Sequence, residues 1–177
     1  IKKNLATVKQ RIADTCQRIG RDPSSVRLLP VTKTVPAERL RIAFAAGCHE
    51  MGENKIQEAR EKSEALQDLD IKWAIIGHLQ TNKAKYLARF ANEFQALDSL
   101  KVAEELDKRL QNEGRAIDVY VQVNSSGEAS KFGLPPEEAP AAALVDAYVG
   151  RRVCHVARNT GAQGFDPVDE PPAQDGG

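Results

Sequence analysis

The stretch Val26-Arg27-Leu28-Leu29-Pro30-Val31-Thr32-Lys33-Thr34 decides the fold. Its short apolar run reads as a buried strand, and that strand ends in a lysine. An ammonium at the tip of a buried strand is costly unless it is paired, deprotonated or used. In an α/β barrel the carboxyl end of a parallel strand points into the mouth, where the chemistry sits. Two readings of Lys33 stand at this point. It starts a solvated loop, or it is a Schiff-base lysine, an amine made nucleophilic by desolvation or by cationic neighbours.

Outward from that strand, helix and strand patterns alternate. Leu5, Val8, Ile12 and Ile19 recur at helical spacing before Gly20, which predicts a first helix. After the strand, Pro36 opens a second helix with Leu40, Ile42, Ala43 and Ala46 inside, and Gly47 closes it. A very short strand over His49, Glu50 and Met51 leads into Gly52-Glu53-Asn54 and a third helix from about Lys55 to Leu66. Ile71–Ile76 is the next strand, followed by a helix over about Asn82–Phe90. Phe94–Leu97 then reads as a strand, with a helix from Leu100 that carries Val102, Ala103, Leu106 and Leu110 inward and stops before Gly114. Ile117–Val123 is the clearest strand, and Pro135 and Pro136 start a sixth helix. Such alternation predicts parallel strands joined by crossover helices. Polar clusters follow each strand: Lys33, Glu53-Asn54, His78 to Gln80, Asp98-Ser99, and Asn124 to Lys131. Ligands in these folds sit outside the carboxyl ends of the strands.

Composition narrows the class. The 177 residues suffice for one domain with one sizeable core. Lys plus Arg and Asp plus Glu stand at 25 each, so the chain is formally neutral, against a general nucleic-acid or membrane-surface partner. No apolar run reaches the roughly 18 residues of a membrane span, and Ile1–Leu5 lacks a signal peptide's apolar core. The chain does not begin with Met, which reads as a clipped start. Cys16, Cys48 and Cys154 are odd in number and far apart, and His49, His78 and His155 show no ligand spacing. The expectation is a reducing, cytoplasmic setting, with a mitochondrial pool as a variant, and neither disulfide nor metal.

Four ordered blocks carry a resemblance: Val31-Thr32-Lys33-Thr34; Gly52-Glu53-Asn54 with Gln57-Glu58; Trp73 through Gly77-His78-Leu79-Gln80-Thr81-Asn82-Lys83; and Gln122-Val123-Asn124 through Glu128, Ser130, Lys131, Phe132 and Gly133. Over about residues 1–147 the chain resembles the pyridoxal phosphate homeostasis proteins, single-domain relatives of the alanine racemase N-terminal barrel. The resemblance implies a (β/α)8 barrel, here incomplete with about five to six strands. It also implies binding of pyridoxal 5′-phosphate (PLP) as an imine on Lys33, and a carrier or regulator role in intracellular PLP homeostasis without turnover. Asn54, His78 and Asn124 would line the cofactor mouth. Lys131 would be a second lysine near the pocket, able to take up or release the aldehyde. PLP-dependent apoenzymes would be acceptors, and the chain a monomer or weak dimer. No residue is assigned a catalytic role. Plainer readings stand beside these: Asn54 as the N-cap of the third helix, His78 as a satisfied loop histidine, Lys131 as surface, and Trp73 as core.

The chain departs from the family at its distal end. A full barrel takes about 250 residues and usually seats phosphate on the loops after its last two strands. The family's distal Gly-Met-Ser and Ile-Phe-Gly segments do not occur, and Gly127 alone makes no phosphate cradle. The domain reading is a partial PLP-binding barrel over 1–150 and a divergent tail over 151–177. In that tail Arg152–Val156 offers one short strand and the Gly- and Pro-rich remainder reads as disordered. Two alternatives follow: a truncated, frame-shifted or alternatively spliced relative that has lost stable PLP binding, and a racemase-like PLP enzyme. A racemase needs a second acid–base group, often a tyrosine, and the tyrosines are Tyr86, Tyr120 and Tyr148.

Overall fold

The computed structural model describes residues 1–128 and 130–138, together with the backbone of Cys154–Asn159. Residues 136–138, where a sixth helix was expected to start, form a turn, and the rest of that expected helix and the tail expected to be disordered beyond Asn159 lie outside the described residues. Five helices and five strands follow in chain order. The helices are α1 (Lys2–Arg18), α2 (Ala37–Ala45), α3 (Ile56–Ala65), α4 (Ala84–Phe90) and α5 (Leu100–Glu113). The strands are β1 (Glu50–Glu53), β2 (Lys72–Ile75), β3 (Glu93–Leu97), β4 (Asp118–Asn124) and β5 (Cys154–Asn159). They form one sheet in the order β1-β2-β3-β4-β5, and every pairing is parallel. This is the α/β architecture of parallel strands with connecting helices that the alternation of elements predicts, and it agrees with the partial (β/α)8 barrel that the resemblance implies.

The buried strand expected over Val26–Thr32 is reduced to one bridge, Val31 with Gly52 of β1. Gly52 N–H donates to Pro30 O at 2.8 Å, and Thr32 N–H donates to Gly52 O at 2.9 Å. The next rung of a parallel ladder would need an N–H on residue 30. Proline has none, so pairing stops there. The segment remains in the sheet's plane but carries no regular ladder.

Local signals explain the helix ends. Ser99 Oγ accepts from Val102 N–H at the start of α5, and Gly114 closes it in the left-handed conformation at φ 62°. Val102, Ala103, Leu106 and Leu110 are all buried, as their spacing predicts. In α2 only Leu40 is buried, and Ile42, expected inward, is 59% exposed. That short helix turns a narrower stripe to the core than its composition suggests. Strand β4 alternates strictly, with Val119, Val121 and Val123 buried and the residues between them less so.

One core joins Phe94, Val119 and Val121 of the sheet to Ala59, Leu87 and Leu106 of α3, α4 and α5. A second gathers Leu40, Met51, Leu66 and Trp73, so Trp73 is core. Cys16 and Cys48 are free and buried. No helix among the described residues is long and apolar enough to cross a membrane. Phe94 is fully buried at the centre of the larger core. Phe94→Ala is expected to destabilise the chain by about 3–5 kcal/mol, against about 0.5 kcal/mol or less for Ile42→Ala, read from urea unfolding midpoints.

Candidate functional site

Parallel strands place all their carboxyl ends at one edge of the sheet. Lys33 follows the Val31 bridge, Asn54 follows β1, His78 follows β2, Asp98 follows β3 and Asn124 is the last residue of β4. Lys131 lies on the loop beyond β4. All five residues singled out from the sequence therefore lie at the carboxyl ends of the strands or in the loops that leave them.

Contacts stitch those loops together. Gly77, after β2, lies so close to the loop after β1 that a Cβ there would meet Asn54 O at 2.1 Å. His78 Nδ1 is 2.7 Å from Asp98 Oδ2, which joins the loops after β2 and β3. The His78 ring stacks on Phe132, with centroids 4.1 Å apart and planes 11° from parallel. Phe132 is 56% exposed, so one of its faces is covered by the histidine while much of the ring meets solvent. Asn124 organises its own loop: its Nδ2 donates to Glu128 O at 3.0 Å, and its Oδ1 accepts from Ser126 Oγ at 3.1 Å.

The two lysines of the edge differ from each other. Lys131 Nζ is paired with Glu128 Oε1 at 2.7 Å, and that ammonium holds the Glu128 carboxyl below the usual carboxylate range. Lys33 is exposed, on a turn, and makes no hydrogen bond or ion pair among the described residues. The burial argument for Lys33 is thus corrected: its ammonium is not at the tip of a dry strand. Asn54 is likewise not the cap of α3. That position is Lys55, and no side chain caps the helix. The plainer reading of His78 holds to the extent that Asp98 satisfies its Nδ1.

The buried ammonium of this region belongs to Lys62 of α3, which the sequence reading passed over. Its Nζ donates to Thr32 O at 2.7 Å, to Glu53 Oε1 at 2.6 Å and to Glu58 Oε1 at 2.6 Å. Thr32 Oγ1 also donates to Glu53 Oε1 at 2.6 Å, and Thr34 N–H donates to Glu58 Oε1 at 2.6 Å. Glu53 is wholly buried, and its Oε2 has no hydrogen-bond partner among the described residues. Thr34 sits at φ 62°, a left-handed conformation that is rare for a β-branched residue. The Lys62 ammonium first, and then the Thr34 N–H, hold the Glu58 carboxyl below the usual carboxylate range.

A separate cavity of about 250 Å³ opens at the opposite, amino ends of the strands, between Arg27, Glu50, Trp73, Asn92, Glu93 and Asp118. Arg27 spans it, 2.7 Å from Glu93 Oε1 and 3.2 Å from Glu50 Oε2. This end reads as a structural plug, since it lies away from Lys33 and in barrels that end serves stability.

The aldehyde end of PLP fits the edge, which offers an exposed amine beside loops carrying His78, Asn54 and Asn124. A cradle for its phosphate is not assembled among the described residues. The N-terminus of α5 is already capped by Ser99, and Lys131 is paired with Glu128.

Two outcomes follow for the polar cluster. Lys62→Met strands a buried Glu53 carboxylate and is expected to cost about 3–5 kcal/mol, whereas Lys33→Met costs about 0.5 kcal/mol or less, both read from urea unfolding. Glu58 titrates lower in the folded chain than in the unfolded one, so its stabilisation is present above the unfolded value and fades as pH falls through the folded one. The stability difference between wild type and Glu58→Gln is expected to be constant above about pH 5 and to shrink below about pH 4.

Comparisons with known proteins converge on this architecture. The family model described as alanine racemase, N-terminal domain matches residues 3–157. A pyridoxal phosphate homeostasis protein of Pseudomonas aeruginosa is 43% identical over 143 residues, which is 81% of this chain and 62% of that protein. Its namesake in Aquifex aeolicus is 42% identical over 135 residues, covering 76% of this chain and 59% of the relative. The chain thus spans about three-fifths of the length of the curated relatives it matches. Among solved structures, PipY of Synechococcus elongatus with PLP bound superposes with a TM-score of 0.71 at 29% identity, over 88% of this chain and 72% of that one. A protein of unknown function from Bifidobacterium adolescentis superposes with a TM-score of 0.77 at 30% identity, over 88% and 66%. The chain belongs to the alanine racemase N-terminal domain family, among relatives named pyridoxal phosphate homeostasis proteins.

Proposed function

We propose that the chain binds PLP covalently through Lys33 and serves PLP homeostasis as a cytoplasmic carrier, without catalytic turnover of its own. The observation that carries the reading is the position of Lys33: an exposed amine at the carboxyl edge of a parallel sheet, on a turn held by its neighbours. Two facts about relatives support it: the name shared by the curated relatives, and the PLP bound to PipY.

Lys33 Nζ, as the free amine, would hold the cofactor through its aldehyde carbon, with the carbonyl oxygen released as water. The bound cofactor supplies an electron-withdrawing ring. Asn54 is positioned to donate or accept at the mouth, since its side chain makes no hydrogen bond among the described residues. His78 presents its ring edge with Nδ1 engaged by Asp98, and Phe132 shields one of its faces. Asn124 shapes the loop that carries Lys131, whose pairing with Glu128 must open before its amine can accept the aldehyde.

The non-enzymatic reading rests on where the tyrosines lie. Tyr86 sits on α4 beneath the cations of Arg60, Lys83 and Lys85, with the nearest, Lys85, 5.0 Å from the ring centroid. Tyr120 lies within β4 near Glu93 and Arg27, where burial pushes its phenol up. Neither stands at the edge that carries Lys33. Tyr148 lies outside the described residues.

A second reading, a relative that no longer holds PLP firmly, is favoured by the absence of an assembled phosphate cradle among the described residues. A titration separates the two. The wild-type chain is expected to develop the visible band of a lysine–PLP imine that saturates, and Lys131→Ala to retain it. Lys33→Ala should weaken uptake at least about tenfold, about 1.4 kcal/mol. Equal uptake by Lys33→Ala and wild type contradicts the carrier reading and favours the second.

A further inference from the structure

The side chain of Lys33 makes no hydrogen bond or ion pair among the described residues, so the backbone on either side is what holds its direction. That backbone is gripped from one helix. Lys62 Nζ donates to the carbonyl just before Lys33, at Thr32, and Glu58 Oε1 accepts the N–H just after it, at Thr34. The two grips are joined, because Lys62 Nζ also donates to Glu58 Oε1. They are anchored as well, because the same ammonium is paired with the buried Glu53 of β1. Thr34 at φ 62° is the kind of strained residue that persists only where its surroundings over-determine it. The paired acceptor and donor on either side of Lys33 are those surroundings.

We propose that Lys62 and Glu58 form a positioning clamp that fixes the Thr32–Thr34 turn and so aims Lys33 Nζ across the edge where PLP would bind. The inference rests on the reading of Lys33 as the cofactor's anchor. Lys62 and Glu58 are positioning residues, not contacts of the cofactor. Covalent capture needs the amine to meet the carbonyl carbon in a narrow range of directions, and a turn free to rotate dilutes that arrangement. Lys62 also serves the fold through Glu53, whereas Glu58 is a rim carboxylate whose side chain is 27% exposed. Glu58 is therefore the residue through which the clamp can be opened while the buried pair stays intact.

The test compares wild type, Glu58→Ala and Glu58→Gln as full chains. Amide hydrogen exchange at Thr34 reads the clamp, PLP titration read at the Lys33 band reads capture, and thermal unfolding reads the fold. Glu58→Ala is expected to raise Thr34 exchange and the half-saturating PLP concentration each by about tenfold or more, while thermal unfolding moves by only a few degrees. Glu58→Gln keeps an oxygen acceptor for the Thr34 N–H, and it should stay within about threefold of wild type in capture. Three results overturn the clamp: unchanged Thr34 exchange in Glu58→Ala, capture by Glu58→Ala equal to wild type once Thr34 is exposed, or a loss in both variants that tracks thermal stability alone. A wild-type chain that takes up no PLP at Lys33 overturns the anchor reading and this inference with it. Normal wild-type uptake with undiminished Glu58→Ala uptake overturns this inference only.

Discussion

A single buried ammonium organises the part of the molecule that bears the site. Lys62 Nζ stands between Thr32 O, Glu53 Oε1 and Glu58 Oε1, all within 2.7 Å. An ion removed from water costs several kcal/mol unless its donors are satisfied, and three acceptors match the three donors an ammonium carries. The arrangement ties together three elements that otherwise meet only weakly. The segment before Lys33 holds the sheet by one bridge, β1 is four residues long, and α3 begins without a side-chain cap. With Pro30 blocking any further rung, the Lys62 grip on Thr32 substitutes for ladder bonds that the sequence forbids.

From that anchor the edge is assembled by short-range contacts between neighbouring loops. Asn54 O against Gly77 fixes the loops after β1 and β2, His78 with Asp98 bridges those after β2 and β3, and His78 on Phe132 brings in the segment after β4. The first two links join loops of adjacent strands, and the His78–Phe132 stack reaches past β3 to the segment after β4. Gly77 is required there because a methyl group would collide with backbone, which cannot give way. The opposite end is held differently, by the ion pairs of Arg27 with Glu50 and Glu93. One end of the sheet is thus locked by long charged side chains, and the other presents Lys33, unpaired among the described residues.

Much of this was legible in the sequence. Period-2 alternation in β4 and the buried stripe of α5 put the right residues inside, because both patterns arise from local geometry that tertiary contacts reinforce. Gly114 marked the end of α5 for the same reason, whereas Ser99, read only as a polar residue after a strand, caps its start. The strand before Lys33 was overread, since apolar content does not reveal that Pro30 removes a rung. Ile42 was placed inward because composition does not say how wide a stripe a short helix buries. A short strand was expected over Arg152–Val156; the strand lies instead at Cys154–Asn159, paired with β4 along Val119–Asn124. The site was legible as a set of positions after strands but not as a network. Lys62 in particular reads as one more polar residue on a charged helix, and only the fold brings it under Thr32. A signal existed in Glu58 and Lys62 at i, i+4 spacing, the usual mark of a surface pair. The third partner, Glu53, is nine residues away and on a strand.

We propose that the fold singles out Lys33 among the lysines of the chain. The most direct test is chemical: incubate the chain with PLP, reduce with borohydride, and locate the modified lysine by peptide mass mapping. At limiting cofactor, one site, Lys33, is expected to carry nearly all the label. Label spread over exposed lysines such as Lys72 and Lys131 in proportion to their accessibility would contradict it.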